Sequence, residues 1–106
     1  MASYEKRGEQ MAAYMVFNYR ITDHDAYKAY LGKVADTLNA HGAEIVVADF
    51  ESEVIEGDAG HVTVVLRFAS KDAAKGWFDS PEYQEIIGLR TGNSTGIAVL
   101  TNEAGG

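Results

Sequence analysis

The chain has 106 residues, of which 46% are apolar, no cysteine, and a formal charge of −7. One domain of this length buries roughly 65% of its unfolded surface, enough for a core without covalent staples. The missing cysteines exclude a disulfide framework, a thiolate nucleophile and a thiolate metal site, and fit a cytoplasmic protein. The acidic balance argues against nucleic acid and anionic membranes as partners, and no apolar run approaches the ~20 residues of a membrane span.

Residues Met1 to Gln10 are polar and lack the hydrophobic segment of a signal peptide. They read as an N-terminal tail ahead of a single domain from residue 11 to residue 106. Ala13 to Ile21 alternates as a strand, with Met15, Phe17, Tyr19 and Ile21 on one side and Tyr14, Val16, Asn18 and Arg20 on the other. Thr22 or Asp23 then caps a helix whose apolar stripe is Tyr27, Tyr30, Leu31, Val34 and Leu38, and Gly42 stops it. Glu44 to Ser52 is the second strand, with Ile45 and Val47 on one face and Val46, Ala48 and Phe50 on the other. Glu56 to Gly60 is a turn, and His61 to Ala69 is the third strand.

A broken helix follows, from Ser70 to about Thr91. Ser80 suits the cap of its second piece and Pro81 the first helical position, where a missing N–H costs nothing. That second piece sets Tyr83, Ile86, Ile87 and Arg90 on one face, at i, i+3, i+4 and i+7, so a phenol and a guanidinium share an apolar stripe. Thr95 to Thr101 is the last strand.

The order β-α-β-β-α-β predicts an α+β, ferredoxin-like sandwich, a four-stranded antiparallel sheet with both helices on one face. Yet the strands carry apolar side chains on both faces, and two helices cover only one. The other face is an exposed apolar patch unless a second copy covers it, so a homodimer is predicted.

Trp77-Phe78-Asp79-Ser80-Pro81-Glu82-Tyr83-Gln84, followed by Arg90, resembles the domain-of-unknown-function 1330 family within the dimeric α/β-barrel superfamily. Phe68-Ala69-Ser70, Glu56-Gly57, His41-Gly42 and the Tyr27/Tyr30 pair carry the same resemblance, which spans about Ala13 to Glu103. The turn after Glu56-Gly57 departs from it, being short and without aromatic or basic residues. The resemblance implies the dimeric barrel but no agreed reaction, and so transfers no catalytic residue. The wider superfamily holds cofactor-free monooxygenases, lactone isomerases and heme-degrading enzymes, a likeness of fold alone. The heme-degrading members use an Asn, a Trp and a later His; here Asn18 and Trp77 are present but no His follows His61.

The residues themselves suggest the following chemistry. Tyr83 and Arg90 suit a carboxylate or enolate, with Arg as a two-pronged donor and Tyr as a donor or weak acid. The alternative is that Arg90 caps carbonyls or pairs with Glu82 or Glu85. His41, at a helix end, is a candidate general acid or base, or else bonds its own last carbonyls. His61, Arg67, Asn18 and Arg20 form a polar patch if their side faces a dimer cavity; an Arg67–Asp49 pair is the structural alternative. Tyr27 either points into a pocket or packs in the core. His41 and Tyr83 are thus the catalytic candidates, and Arg90, Arg67, Asn18 and Tyr27 the substrate-binding ones. The three histidines form no metal-ligating pattern, so neither metal nor cofactor is expected. The readings that stand are a cofactor-independent enzyme, isomerase or monooxygenase-like, on a small anionic or aromatic metabolite; a non-catalytic dimeric binding module; and a structural protein whose pocket is filled by its own side chains.

Overall fold

The computed structural model describes residues 11–105, so the expected tail at residues 1–10 lies outside the described residues. The elements are β1 (Ala13–Ile21), α1 (His24–Ala40), β2 (Glu44–Asp49), β3 (Val62–Phe68), α2 (Lys71–Phe78), α3 (Pro81–Gln84), α4 (Ile87–Thr91) and β4 (Ser94–Asn102). The strands form one sheet in the order β2-β3-β1-β4, every neighbouring pair antiparallel. This is the ferredoxin-like α+β architecture expected from the element order.

β1 lies inside the sheet and sets its two faces. Ala13, Met15, Phe17 and Tyr19 are buried and alternate with less buried residues. Phe17 lies opposite Val64 of β3 and Ala98 of β4, and Tyr19 opposite Val62 and Gly96. The helices pack on this side. Asp23 caps α1, its carboxylate accepting from the Ala26 N–H at 3.1 Å, and the helix buries Tyr27, Tyr30, Thr37 and Leu38. Past its end Gly42 takes φ +68°, the left-handed conformation that glycine adopts without a steric penalty.

Ser70 caps α2 by accepting from the Ala73 N–H at 3.0 Å. Trp77 at the end of this helix is wholly buried, and its indole N–H donates to the Thr37 hydroxyl at 3.0 Å. Phe17, Phe68, Phe78 and Tyr83 surround the indole, with Tyr83 nearest at 4.1 Å between centroids. Truncating a Trp so placed costs about 3–5 kcal/mol. At the break, the Ser80 hydroxyl accepts from the Tyr83 N–H at 3.2 Å and donates to the Trp77 carbonyl at 2.7 Å.

Three details differ from the sequence expectation. The second helical piece is itself broken into α3 and α4. The Ile86 N–H reaches back only to the Tyr83 carbonyl, and the Leu89 N–H to that of Ile86, so the chain tightens by i−3 bonds between the two pieces. Tyr83, Ile86 and Arg90 nonetheless stay buried together. β2 ends at Asp49 rather than Ser52, and it carries a bulge: Ile45 pairs with Leu66 while Val47 pairs with Val65. Val46 is therefore the extra residue, and Ile45 and Val47 fall on opposite faces. Finally, Arg67 lies beside Glu44, at 3.8 Å, rather than Asp49, because the register sets Glu44 opposite Arg67 and Asp49 opposite Thr63.

Two glycines are required where strands crowd β1. A Cβ on Gly60 would stand 2.2 Å from the Tyr19 carbonyl group, and one on Gly96 would stand 2.2 Å from the Asn18 carbonyl oxygen. On the far face Val16, Val47, Val65, Ile97 and Val99 form an apolar surface, with Ile97 64% and Val99 49% exposed. Among the described residues no helix is long and apolar enough to cross a membrane.

Candidate functional site

The helical side of the sheet holds a buried polar cluster. Tyr19 from β1 and Tyr27 from α1 share a hydrogen bond of 2.6 Å between their hydroxyls. Tyr30, one turn further along α1, and Tyr83 of α3 share another of 2.8 Å. Arg90 of α4 donates from Nε to the Tyr83 hydroxyl at 3.3 Å. Its guanidinium carbon lies 4.9 Å from the Phe17 ring centre and 5.8 Å from that of Tyr19. Such stacking is favourable for a desolvated guanidinium.

The local sequence explains this convergence. Tyr19 follows Met15 and Phe17 on the buried side of β1. Tyr27 and Tyr30 are successive members of the α1 stripe. The Ser80-Pro81 restart aims Tyr83 inward, and about two turns later, past the break between α3 and α4, Arg90 emerges on the same side.

Electrostatically the cluster is unusual. Arg90 is only 8% exposed, and among the described residues no carboxylate forms an ion pair with it. Burial works against its charge, but the oxygens of Tyr83 and Tyr30 outweigh that and raise its pKa. Burial also pushes the hydroxyls of Tyr19, Tyr27 and Tyr30 above the ordinary phenol value. At neutral pH these three therefore carry their protons and act as donors.

A cavity of about 110 Å³ adjoins the cluster. Its buried walls include Phe17, Tyr19, Tyr27 and Tyr30, while Leu31, Ile45 and Phe50 are exposed and form its apolar rim. The β2 bulge matters here, since it keeps Ile45 on the same side as Ala48 and Phe50. A second, more open cleft of about 390 Å³ lies at the end of the sheet beside Asn18, Arg20 and Asp58. Its charged groups already serve one another: Arg20 donates to the Asp58 carboxylate at 3.1 Å and to the Ala59 carbonyl at 2.9 Å.

The structure brings together three of the six residues singled out from sequence, namely Tyr83, Arg90 and Tyr27. The other three lie elsewhere. His41 is at the C-terminus of α1, where Nε2 meets the Glu82 carboxylate at 3.2 Å on the surface. The Glu82 carboxyl is held below the usual value by its own backbone N–H and then by His41. Asn18 uses its amide to tie β1 to the start of β3: Nδ2 donates to the carbonyls of Gly60 and Val62 and to the Thr63 hydroxyl, each at 3.1 Å, and Oδ1 accepts from the Gly60 N–H at 2.7 Å. Arg67 is half-exposed beside Glu44. Arg90 pairs with neither Glu82 nor Glu85. His61 stacks on His24 at 5.9 Å, and its Nε2 is buried without a hydrogen-bond partner. Among the described residues no group of three or more His, Cys, Asp or Glu side chains is placed to hold a metal ion.

Tyr19 and Tyr30 were not among the sequence candidates. The signal for Tyr19 was its place on the buried side of β1, and for Tyr30 its place on the same stripe as Tyr27.

A family model described as a domain of unknown function (DUF1330) matches residues 12–103, and the chain belongs to that family. No curated protein matches it. Among solved structures it is similar to a protein of unknown function from Rhodopseudomonas palustris, with 16% identity, coverage of 92% of this chain and 88% of that one, and a TM-score of 0.67. It is similar to a dimeric ferredoxin-like protein of unknown function from Thermobifida fusca (13% identity, 92% and 95% covered, TM-score 0.63). It is also similar to a cofactor-independent oxygenase from Streptomyces nogalater (11% identity, 85% and 90% covered, TM-score 0.63). At these identities the likeness is one of fold.

Proposed function

We propose that the chain is a homodimeric small-molecule protein whose cleft, between α1 and the sheet, receives a small aromatic or anionic metabolite next to Tyr27, Tyr83 and Arg90. The observation that carries this reading is Arg90, a buried cation without a carboxylate partner among the described residues, packed behind the rings of Phe17 and Tyr19, which line an apolar cavity. A buried arginine kept for architecture is ordinarily paired. Rigid aromatic walls around a few polar groups are the usual make-up of a ligand pocket. The cavity beside the cluster favours this reading over a pocket filled by its own side chains.

The chemistry assigned to the cleft is cofactor-independent turnover, an isomerisation or an oxygen-dependent oxidation. The structural likeness to an oxygenase described as cofactor-independent supports that choice over carriage alone. Tyr83 and Arg90 are assigned to stabilising negative charge that develops on the substrate. His41, bonded to Glu82 at the surface, is given no part in it.

The second copy is assigned to the open face of the sheet. Val16, Val47, Val65, Ile97 and Val99 form a patch that no helix among the described residues covers, and the similar Thermobifida fusca protein is described as dimeric. Sedimentation of the full chain tests this part: a dimer at micromolar concentration is expected, converted to monomer by Val99→Asp. A wild-type monomer overturns it. For the cleft, a panel of small aromatic acids is screened by the fluorescence of Trp77, the only tryptophan. Saturable quenching that weakens at least tenfold in Arg90→Ala supports the site. Quenching unaffected by Arg90→Ala, with large loss of stability, makes the arginine structural.

A further inference from the structure

The cavity between α1 and the sheet is a slot with two walls. The helix contributes Tyr27, Tyr30 and Val34 to one, and the strands contribute Phe17, Val64 and Leu66 to the other. No lining side chain is charged. The hydroxyls of the lining tyrosines are engaged with other tyrosines, Tyr19 with Tyr27 at 2.6 Å and Tyr30 with Tyr83 at 2.8 Å. The slot therefore presents carbon and almost no polar surface. Arg90 is not among the lining residues; its guanidinium carbon lies behind the ring of Phe17, 4.9 Å from the ring centre. An apolar cavity of about 150 Å³ stays dry and admits one benzene ring. At about 110 Å³, with a mouth at Leu31, Ile45 and Phe50, this one is of the same order.

We infer that the slot takes a single uncharged aromatic ring. The inference rests on the cleft reading above and narrows its ligand class. A carboxylate drawn into the slot exchanges its water shell for carbon and meets no counter-ion on the walls, which is costly. A ligand that carries such a group therefore keeps it at the mouth, in water, and inserts only its ring. Size limits the ligand further. Pockets for larger molecules run to about 300–1,000 Å³, so a fused polycycle or a long acyl chain exceeds the slot. Shape favours a ring over an aliphatic of equal volume. Phe17, Tyr19, Tyr27 and Tyr30 on the walls and Phe50 at the mouth offer ring faces and edges, against which a flat ligand gains more than burial alone. A puckered aliphatic gains the burial only.

The test measures binding of benzene, cyclohexane and benzoate to the full chain at neutral pH, by calorimetry or by ligand-observed NMR. Benzene is expected to bind saturably, one per chain. Benzoate is expected to bind about tenfold or more weakly than benzene, and cyclohexane about two- to tenfold more weakly. Ala48→Phe sets a ring into the slot from the exposed edge strand and is expected to weaken benzene about tenfold or more, since it takes the same space. If that variant does not fold, Ile45→Trp at the exposed mouth is the blocking variant in its place. Benzoate bound as tightly as benzene, and lost in the folded blocking variant, overturns the uncharged class and leaves the cleft reading standing. Cyclohexane bound as tightly as benzene overturns the aromatic preference. Benzene binding unchanged in a folded blocking variant overturns the placement in this slot. Failure of all three to bind up to their saturation in buffer overturns the inference and the cleft reading together.

Discussion

Asn18 and Arg90 belong to opposite sides of the sheet and settle their polar groups in opposite ways. Asn18 gives its amide hydrogens to Gly60, Val62 and Thr63 and takes one from Gly60, all within the chain. Arg90 brings a full charge into the helical side, where phenols and ring faces surround it but no carboxylate among the described residues answers it. Both are polar residues set among apolar neighbours, and by residue type alone both are site candidates. The contrast lies in what is left over. Asn18 has its bonds met within the chain and is read as part of the fold; Arg90, with no carboxylate partner among the described residues, is the one assigned above to a ligand.

The largest expected effect tests the Asn18 half of this contrast. Asn18→Ala leaves the Gly60 N–H and two carbonyls without their partner and is expected to cost about 2–4 kcal/mol in denaturant unfolding. A loss below about 1 kcal/mol would remove its claim to be architectural. Arg90→Met is expected to change stability far less, within about 1 kcal/mol and with a gain allowed, since a desolvated charge is exchanged for an apolar chain of similar length. If it destabilises as much as Asn18→Ala, the two residues are alike and the contrast fails.

Tyr30→Phe sharpens the comparison from the phenol side. It removes the bond to Tyr83 and is expected to cost about 1 kcal/mol at neutral pH. The sign of its pH dependence follows from the raised Tyr30 pKa. The folded state keeps the phenol protonated, so the stability linked to it is whole below the unfolded value of 10.0 and is lost as the pH rises beyond that. Thermal unfolding from pH 9 to 11 should therefore fall less steeply in Tyr30→Phe than in the wild type.

The smallest effect belongs to Glu82→Gln, which removes the surface contact with His41. The Glu82 pKa is lowered in the fold, so its contribution is present above the unfolded carboxylate value and disappears as the pH falls through the lowered folded value. Wild type and variant should differ slightly at pH 6 and coincide at pH 2.

Much of the architecture was legible because it rests on local rules. Strand alternation, the Asp23 and Ser70 caps, and the Ser80-Pro81 restart each depend on residues within a few positions. The same restart let Tyr83 and Arg90 be grouped before any coordinates. Contacts between distant residues were less accessible. Tyr30 meets Tyr83 across 53 positions and Asn18 meets Gly60 across 42, and neither spacing follows a helix or strand period. Asn18 looked like a ligand-binding group because residue type says what a side chain can bond, not whether the fold already bonds it. The sequence reading paired Arg67 with Asp49 because charge alone does not fix how two strands are aligned; Asp49 lies opposite Thr63, and Glu44 lies opposite Arg67.

That bulge has a consequence for how relatives line up. Val46 occupies a place that the hydrogen-bond ladder does not count, since Ile45 and Val47 meet adjacent partners in β3. Deleting it would return the edge strand to plain alternation and leave Ile45, Ala48 and Phe50 facing inward as before. Chains one residue shorter at this point can therefore share the same inner surface, and an ungapped alignment through it would mismatch every position on one side.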